Sequence, residues 1–236
     1  MHSPILTAIR EALNAHADAH TAASIQRLFK EEVKTCGIPT PVVRNIARAH
    51  FRMIRDTPKA DIFALCEVLW QSGYMEEITV ACDWCYAVRR QFTTDDHHIF
   101  AQWIDRYVDN WAACDTLCTT SVGTLIEMYT DTAQELYRWT QSDNRWMKRA
   151  AAVALITPAR KGLLLNIVFD IVDRLLTDPD DMVQKGYGWL LKVAGQRHEQ
   201  EVARYVLSHK ARMPRTAYRY AIEKWPPALR TEAMKK

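Results

Sequence analysis

Apolar residues recur at three- and four-residue spacing through almost the whole of this 236-residue chain, which contains only 7 Gly and keeps its Pro largely at segment ends. That period gathers the apolar side chains of each segment on one helical face, whereas the alternation that a half-buried strand needs is nearly absent. The expected fold class is therefore all-α. The spacing predicts helices over 4–17, 21–34, 41–56, 58–71, 75–91, 95–108, 111–129, 131–141, 144–156, 161–177, 179–194, 198–208 and 214–223, with short punctuations such as "TCGIPTP", "TTDD", "SDN", "TPARKG" and "TDPD" between them. Thr40 before Pro41, Thr57 before Pro58, Asn110 before Trp111 and Asp178 before Pro179 read as helix starts. A short polar side chain there can accept from an orphaned backbone N–H, and Pro has no N–H to orphan. Antiparallel helix pairs repeated at roughly 40 residues would form a HEAT-like solenoid, each pair covering its neighbour's apolar face; a globular all-α bundle is the other architecture the pattern permits. No Gly/Ser-rich or low-complexity tract divides the chain, so a single domain over 1–236 is expected.

With 48% hydrophobic and 25% charged residues the chain can bury a sizeable core. No stretch reaches the roughly 18 consecutive apolar residues of a membrane span. The N-terminal "MHSPILTAIREALNAHADAH" lacks the basic-then-apolar layout of a secretory leader, so a cytoplasmic protein without membrane contact is expected. A net charge of +3 permits a polyanionic partner without requiring one. Among six cysteines, Cys82-x2-Cys85 and Cys114-x3-Cys118 superficially resemble a four-thiolate zinc site. Both pairs fall in segments that read as long helices without a Gly-rich knuckle, and cysteine is readily buried as a small hydrophobe. Structural thiols are the expected reading, and no metal is assigned. His97 and His98, beside Asp95 and Asp96, are helix neighbours that point in different directions. The absence of a Gly-rich phosphate loop, a nucleophile elbow and a zinc-protease pair leaves no cofactor implied.

The aromatic inventory carries more. Of 8 Trp, three stand beside charged groups: Trp111, Trp146 and Trp189. In "NWAACDTLC" (110–118) Trp111 and Asp115 are four residues apart and so share a helical face. With Asn110 as N-cap, Asp115 lies beyond the first turn, where the helix dipole gives a carboxylate little advantage. "NRWMKRAAAVAL" (144–155) sets Lys148 and Arg149 next to Trp146, and "MVQKGYGWLLK" (182–192) sets Lys185 one turn before Trp189, with Lys192 one position short of the next turn. Tryptophan among Arg and Lys can hold a nucleic-acid backbone, rings packing on sugars or bases while cations meet phosphates. For each Trp alone, a core position with solvated basic neighbours is the competing reading.

Taken in order, five segments resemble the alkylpurine DNA glycosylases of the AlkD type, within the DNA alkylation repair family. "CGIPTPVVRNIAR" (36–48) is similar to that family's early GI-x-TP-x-x-R segment, "NWAACD" (110–115) to its Trp-x3-Asp, and "NRWMKRAAAVAL" (144–155) to its Trp-x2-Arg helix opening. "VQKGYGWLLKVAG" (183–195) is similar to its QKA-x-x-W-x-L-R helix, and "MPRTAYRYAIEKWP" (213–226) to the ending of many members of the wider family. The resemblance implies a right-handed HEAT-like solenoid with a concave DNA-binding face, acting as a monomer on double-stranded DNA that contains alkylated bases. It puts Trp111 and Asp115 at the catalytic face, Arg149 beside them as a DNA-binding or catalytic arginine, Trp189 as a second lesion-facing aromatic, and Thr40 at a DNA-contacting threonine. Arg44, Arg48, Lys148, Lys185, Lys192, Arg212, Arg215 and Arg219 are the candidates for tracking phosphates. There are departures. Pro39 stands where the best-known members carry glutamine, "AACD" replaces a more acidic, Trp-rich run, and Gly186 and Gly188 are expected to loosen the Trp189 helix by about 1 kcal/mol each relative to Ala.

The chemistry suits these residue types independently. Hydrolysis of an N-glycosidic bond builds oxocarbenium-like charge on the sugar, which a nearby carboxylate stabilises. A purine alkylated at a ring nitrogen is already cationic and leaves neutral, so one carboxylate suffices without a partner acid. The indole faces of Trp111 and Trp189 favour a cationic base. The resemblance further implies that the duplex is cradled without a base-flipping pocket, so that bulky adducts are tolerated. The competing expectation is a non-catalytic helical-repeat member that binds DNA or protein.

Overall fold

The computed structural model describes residues 3–235, and every regular element among them is helical. The chain divides into two compact units, Met1–Leu117 and Cys118–Lys236. The first contains α1 (Pro4–Asn14), α2 (Ala19–Gln26), α3 (Thr40–Phe51), α4 (Lys59–Ser72), α5 (Met75–Ala87), α6 (Asp96–Tyr107) and α7 (Trp111–Leu117). The second contains α8 (Gly123–Met128), α9 (Glu135–Trp139), α10 (Arg145–Val153), α11 (Ile156–Arg160), α12 (Leu165–Leu175), α13 (Asp181–Ala194), α14 (Glu199–Ser208), α15 (Arg215–Ala221) and α16 (Pro227–Ala233).

In the first unit α5 is the central element: α3, α4 and α7 all pack on it, and α1 covers α3. Its composition explains this, since Ile78, Val80, Ala81, Cys82, Trp84 and Cys85 are buried around almost its whole circumference. Trp84 satisfies its indole N–H on the Ala47 carbonyl of α3 at 2.9 Å, so the large ring is buried without an orphaned donor. Phe63, Phe92, Phe100 and Trp103 interlock at centroid distances of 5.3–6.2 Å where α4 meets α6. The Trp103 indole and the Tyr107 hydroxyl donate to opposite oxygens of Glu67, which ties the same two helices. Cys82, Cys85, Cys114 and Cys118 are all buried, and burial pushes the Cys66 and Cys82 thiols well up from their ordinary range. Among the described residues no group of three or more His, Cys, Asp or Glu is placed to hold a metal ion.

In the second unit α13 takes the central role, with α10, α11 and α12 packed on it together with α15. The alanines of α10 (Ala150, Ala151, Ala152) permit close approach to α13, and Tyr187 reaches from α13 to donate to the Leu176 carbonyl at 2.9 Å.

Several helix limits differ from those the spacing predicts, for identifiable reasons. The expected helix 21–34 stops at Gln26, whose side-chain amide donates to the Glu31 carbonyl at 2.8 Å and accepts from Val33 N at 3.0 Å. That pair of bonds folds the next residues into a turn. The expected 111–129 helix is α7, then a π-turn over Cys118–Val122, then α8. Within the second unit the Thr157 hydroxyl donates to the Thr119 carbonyl at 2.6 Å, so a side chain from α11 competes for a ladder acceptor. Thr40 and Thr57 do not cap: Thr40 is already helical, and Pro39 and Pro58 precede α3 and α4. Asp180 caps α13 in place of Asp178, accepting from Met182 N at 2.8 Å and Val183 N at 3.3 Å. The short α16 has no counterpart in the predicted set.

Candidate functional site

Helix α7 is started by the residue the sequence indicates: Asn110 Oδ1 accepts from Ala113 N at 3.0 Å. Ala113, Cys114 and Leu117 then point into the core, leaving Trp111, Asp115 and Thr116 half-buried on the opposite side. Trp111 and Asp115 therefore share a partly accessible face, one turn apart. The Trp111 ring is held by a contact the sequence did not announce. Phe29, in the turn after α2, stacks on it at 5.1 Å and 16°. One face of the indole is covered, which fixes the ring's orientation.

The segment before α3 is built around another group that sequence reasoning missed. Glu76, near the start of α5 and only 3% exposed, accepts from Thr35 Oγ1 at 2.6 Å and from the backbone N–H groups of Cys36, Gly37 and Ile38 at 3.0, 3.0 and 3.2 Å. The adjacent acidic pair Glu76-Glu77, at the start of a largely apolar helix, was the available signal. Glu77 is likewise buried and takes a bidentate fork from Arg10 of α1, with Nη2 to Oε2 at 2.9 Å. Beyond this loop Thr40, Arg44 and Arg48 recur every four residues along α3, and all three are exposed on one face. Arg44 Nε lies 3.8 Å from Asp83 Oδ1. Burial raises the Asp83 carboxyl above its usual range, and Arg44 and Arg48 oppose that rise.

In the second unit the outward face of α13 carries Asp181, Lys185, Trp189 and Lys192, all half-buried. Lys185 pairs with Asp181 at 3.0 Å, and Lys192 pairs with Glu223 at 2.9 Å while its ammonium sits 5.6 Å from the Tyr220 ring centroid. Lys148 pairs with Asp178 at 3.0 Å. Trp146 is buried under the Arg145 guanidinium, 4.6 Å from its centroid, which fits the core reading of that Trp. Arg149 is 5% exposed and donates from Nη1 to the Met182 carbonyl at 2.5 Å, tying α10 to α13. Arg212, Arg215 and Arg219 are exposed.

The glycines of α13 prove to be contact positions. A Cβ on Gly188 would stand 2.7 Å from both the Ala217 carbonyl oxygen and Tyr220 Cβ of α15, and one on Gly186 would stand 3.2 Å from Arg149 Cγ. Their helix-propensity cost is offset by the approach they allow.

The family model described as "DNA alkylation repair enzyme" matches residues 9–225. The chain belongs to this family. Membership supports a role in DNA repair. A solved structure, described as "Predicted DNA alkylation repair enzyme from Enterococcus faecalis", is similar over 90% of this chain and 98% of that one, with a TM-score of 0.80 at 17% identity. At that identity the likeness bears on fold, and the shared fold is all-α, consistent with a helical-repeat solenoid. No curated protein matches the chain. Among the described residues no helix is long and apolar enough to cross a membrane.

Proposed function

We propose that this protein is a monofunctional DNA glycosylase that hydrolyses the N-glycosidic bond of cationic N3- or N7-alkylated purines in duplex DNA, acting as a cytoplasmic monomer without a cofactor. The observation that carries the reading is the α7 pair in a member of a DNA alkylation repair family: a carboxylate and an indole one turn apart, both half-buried on one face, on a helix whose start is fixed by Asn110.

The C1′–N bond breaks as positive charge develops on the sugar, and Asp115 stabilises that charge and orients the water that adds to C1′ and releases its proton to solvent. The electron pair of the breaking bond neutralises the alkylated ring, so the base departs neutral and no general acid is needed. Trp111, steadied by Phe29, offers the cationic nucleotide a π-face worth about 0.5–2 kcal/mol. Trp189 is assigned the same kind of contact. Arg149 is assigned as a DNA-binding or catalytic arginine, its bond to the Met182 carbonyl fixing it against the helix that carries Trp189. Lys148, Lys185 and Lys192 meet phosphates with ammonium donors that their carboxylate partners leave free. The partly exposed Lys185–Asp181 pair contributes only about 0–1 kcal/mol and leaves that ammonium able to reorient.

The test is release of 3-methyladenine and 7-methylguanine from methylated duplex DNA. Asp115→Asn should slow release at least about 100-fold, the scale of removing one electrostatic interaction with the transition state, while leaving duplex affinity near wild type. Release that is absent from wild type, or equal in the variant, would sink the glycosylase reading. Duplex binding without turnover would then favour a non-catalytic binder.

A further inference from the structure

A cavity of about 530 Å³ opens between α15 and α16, lined by Arg215, Arg219 and Arg230. Arg215 and Arg219 are one turn apart on α15, where like charges repel. Neither guanidinium has a hydrogen-bond or ion-pair partner among the described residues, while Arg230 contacts the Glu223 carbonyl at 3.4 Å and acts electrostatically on the Glu223 carboxylate. Glu223 lines the same cavity, and its carboxylate holds Lys192 at 2.9 Å and Lys224 at 3.8 Å. Three cations are thus gathered on one concavity around a single carboxylate, which Lys192 and Lys224 also hold. The adjoining hollow shares Arg215, Arg219 and Glu223 and continues to Tyr220, over whose ring the Lys192 ammonium lies. Lys192 is on the same half-buried face of α13 as Trp189.

We propose that this cavity is a discrete phosphate-binding subsite in which Arg215, Arg219 and Arg230 grip a backbone phosphodiester of duplex DNA, anchoring the strand that continues past Tyr220 and Lys192. Planar guanidinium forks match the paired oxygens of a phosphodiester, which suits arginine here better than lysine. The adjoining hollow extends the same arginines as far as Tyr220, beside the Lys192 ammonium, and such a row of cations suits a polymer backbone better than a free anion. The inference rests on DNA being the substrate and does not require Asp115 to be catalytic.

Duplex affinity is measured by fluorescence anisotropy on undamaged DNA between about 50 and 200 mM salt. Arg215→Gln/Arg219→Gln, and separately Arg230→Gln, should bind several-fold more weakly. The slope of log K against log salt should shrink by about 0.9 for each phosphate no longer neutralised. Lysine at the first two positions should restore much of the slope and less of the affinity, which a generic folding defect would not do. Wild-type affinity and slope in both glutamine variants would overturn the inference. So would inorganic phosphate raising the melting temperature of wild type but not of the variants, at matched ionic strength, while duplex binding is unchanged; the cavity would then serve a free anion. The two readings fail separately. No base release with an arginine-dependent slope removes the glycosylase reading alone, and Asp115-dependent release with an unchanged slope removes the subsite alone.

Discussion

Glu76 illustrates how much one side chain can organise. It is almost wholly buried, and the Thr35 hydroxyl and three consecutive backbone N–H groups converge on it. Glu76→Gln removes the charge and turns an NH₂ toward those donors. The expected cost is about 2–4 kcal/mol in urea unfolding, since a charge-assisted bond contributes about 1.5–3 and each stranded donor adds a desolvation penalty. Thr35→Val, which removes one donor and keeps the carboxylate, should cost about 1 kcal/mol. Asp83 makes a prediction in pH. Burial lifts its folded pKa above the ordinary 3.8, so the folded state holds the proton more tightly than the unfolded chain. Its contribution to stability is fully present below 3.8 and declines as pH rises through the folded value. Asp83→Asn should therefore gain stability relative to wild type between acid and neutral pH, and urea midpoints that track wild type in parallel across that range would contradict this. Trp111 and Asp115 were legible as a pair because four-residue spacing alone defines a shared face. Phe29 was not, since its stacking on Trp111 depends on a turn that forms only because Gln26 folds back on Glu31 and Val33.

Among the helices, a start set by a side chain at its own N-cap was readable at α7. Local bonds at Gln26 and Asp180 nevertheless moved the limits of α2 and α13, and a limit shaped by a distant neighbour was not readable at all. Asn110 caps α7 through its own side chain, as the sequence indicates. The π-turn at Cys118–Val122 reflects a hydroxyl arriving from Thr157, thirty-eight positions after Thr119, which no local pattern encodes. Helix α13 separates the two kinds of information again. From sequence, Gly186 and Gly188 look like equal weaknesses. The packing makes them unequal. At Gly188 an added Cβ meets α15 backbone and a Cβ at 2.7 Å, so Gly188→Ala must push two helices apart and should destabilise by about 1–3 kcal/mol. At Gly186 the nearest obstacle is the flexible Arg149 side chain at 3.2 Å, and the helix-propensity gain of about 1 kcal/mol opposes the crowding. Gly186→Ala should thus be within about 1 kcal/mol of wild type in thermal unfolding, with Gly188→Ala clearly lower. Equal losses would mean that propensity, and not packing, governs this helix.

For the molecule as a whole, the all-α class followed from periodicity because 3.6-residue spacing has no competing interpretation over segments this long. Burial of the thiols gives a global readout. Cys66, Cys82, Cys85, Cys114 and Cys118 are buried and Cys36 is half-buried, so a thiol reagent added to the native protein should label Cys36 first and reach the other five only after denaturant. Prompt labelling of two or more native thiols would show that the core opens more readily than its packing suggests. The loop around Glu76 has a consequence for how the chain meets an anion. Its backbone donors form the kind of cradle that elsewhere receives phosphate, but here the protein has filled that cradle from within. If the proposed function holds, an arriving strand would find those amides already engaged, leaving contact at α3 to the exposed side chains of Thr40, Arg44 and Arg48. Recognition there is a matter of reach, set before any ligand arrives and indifferent to whether one does.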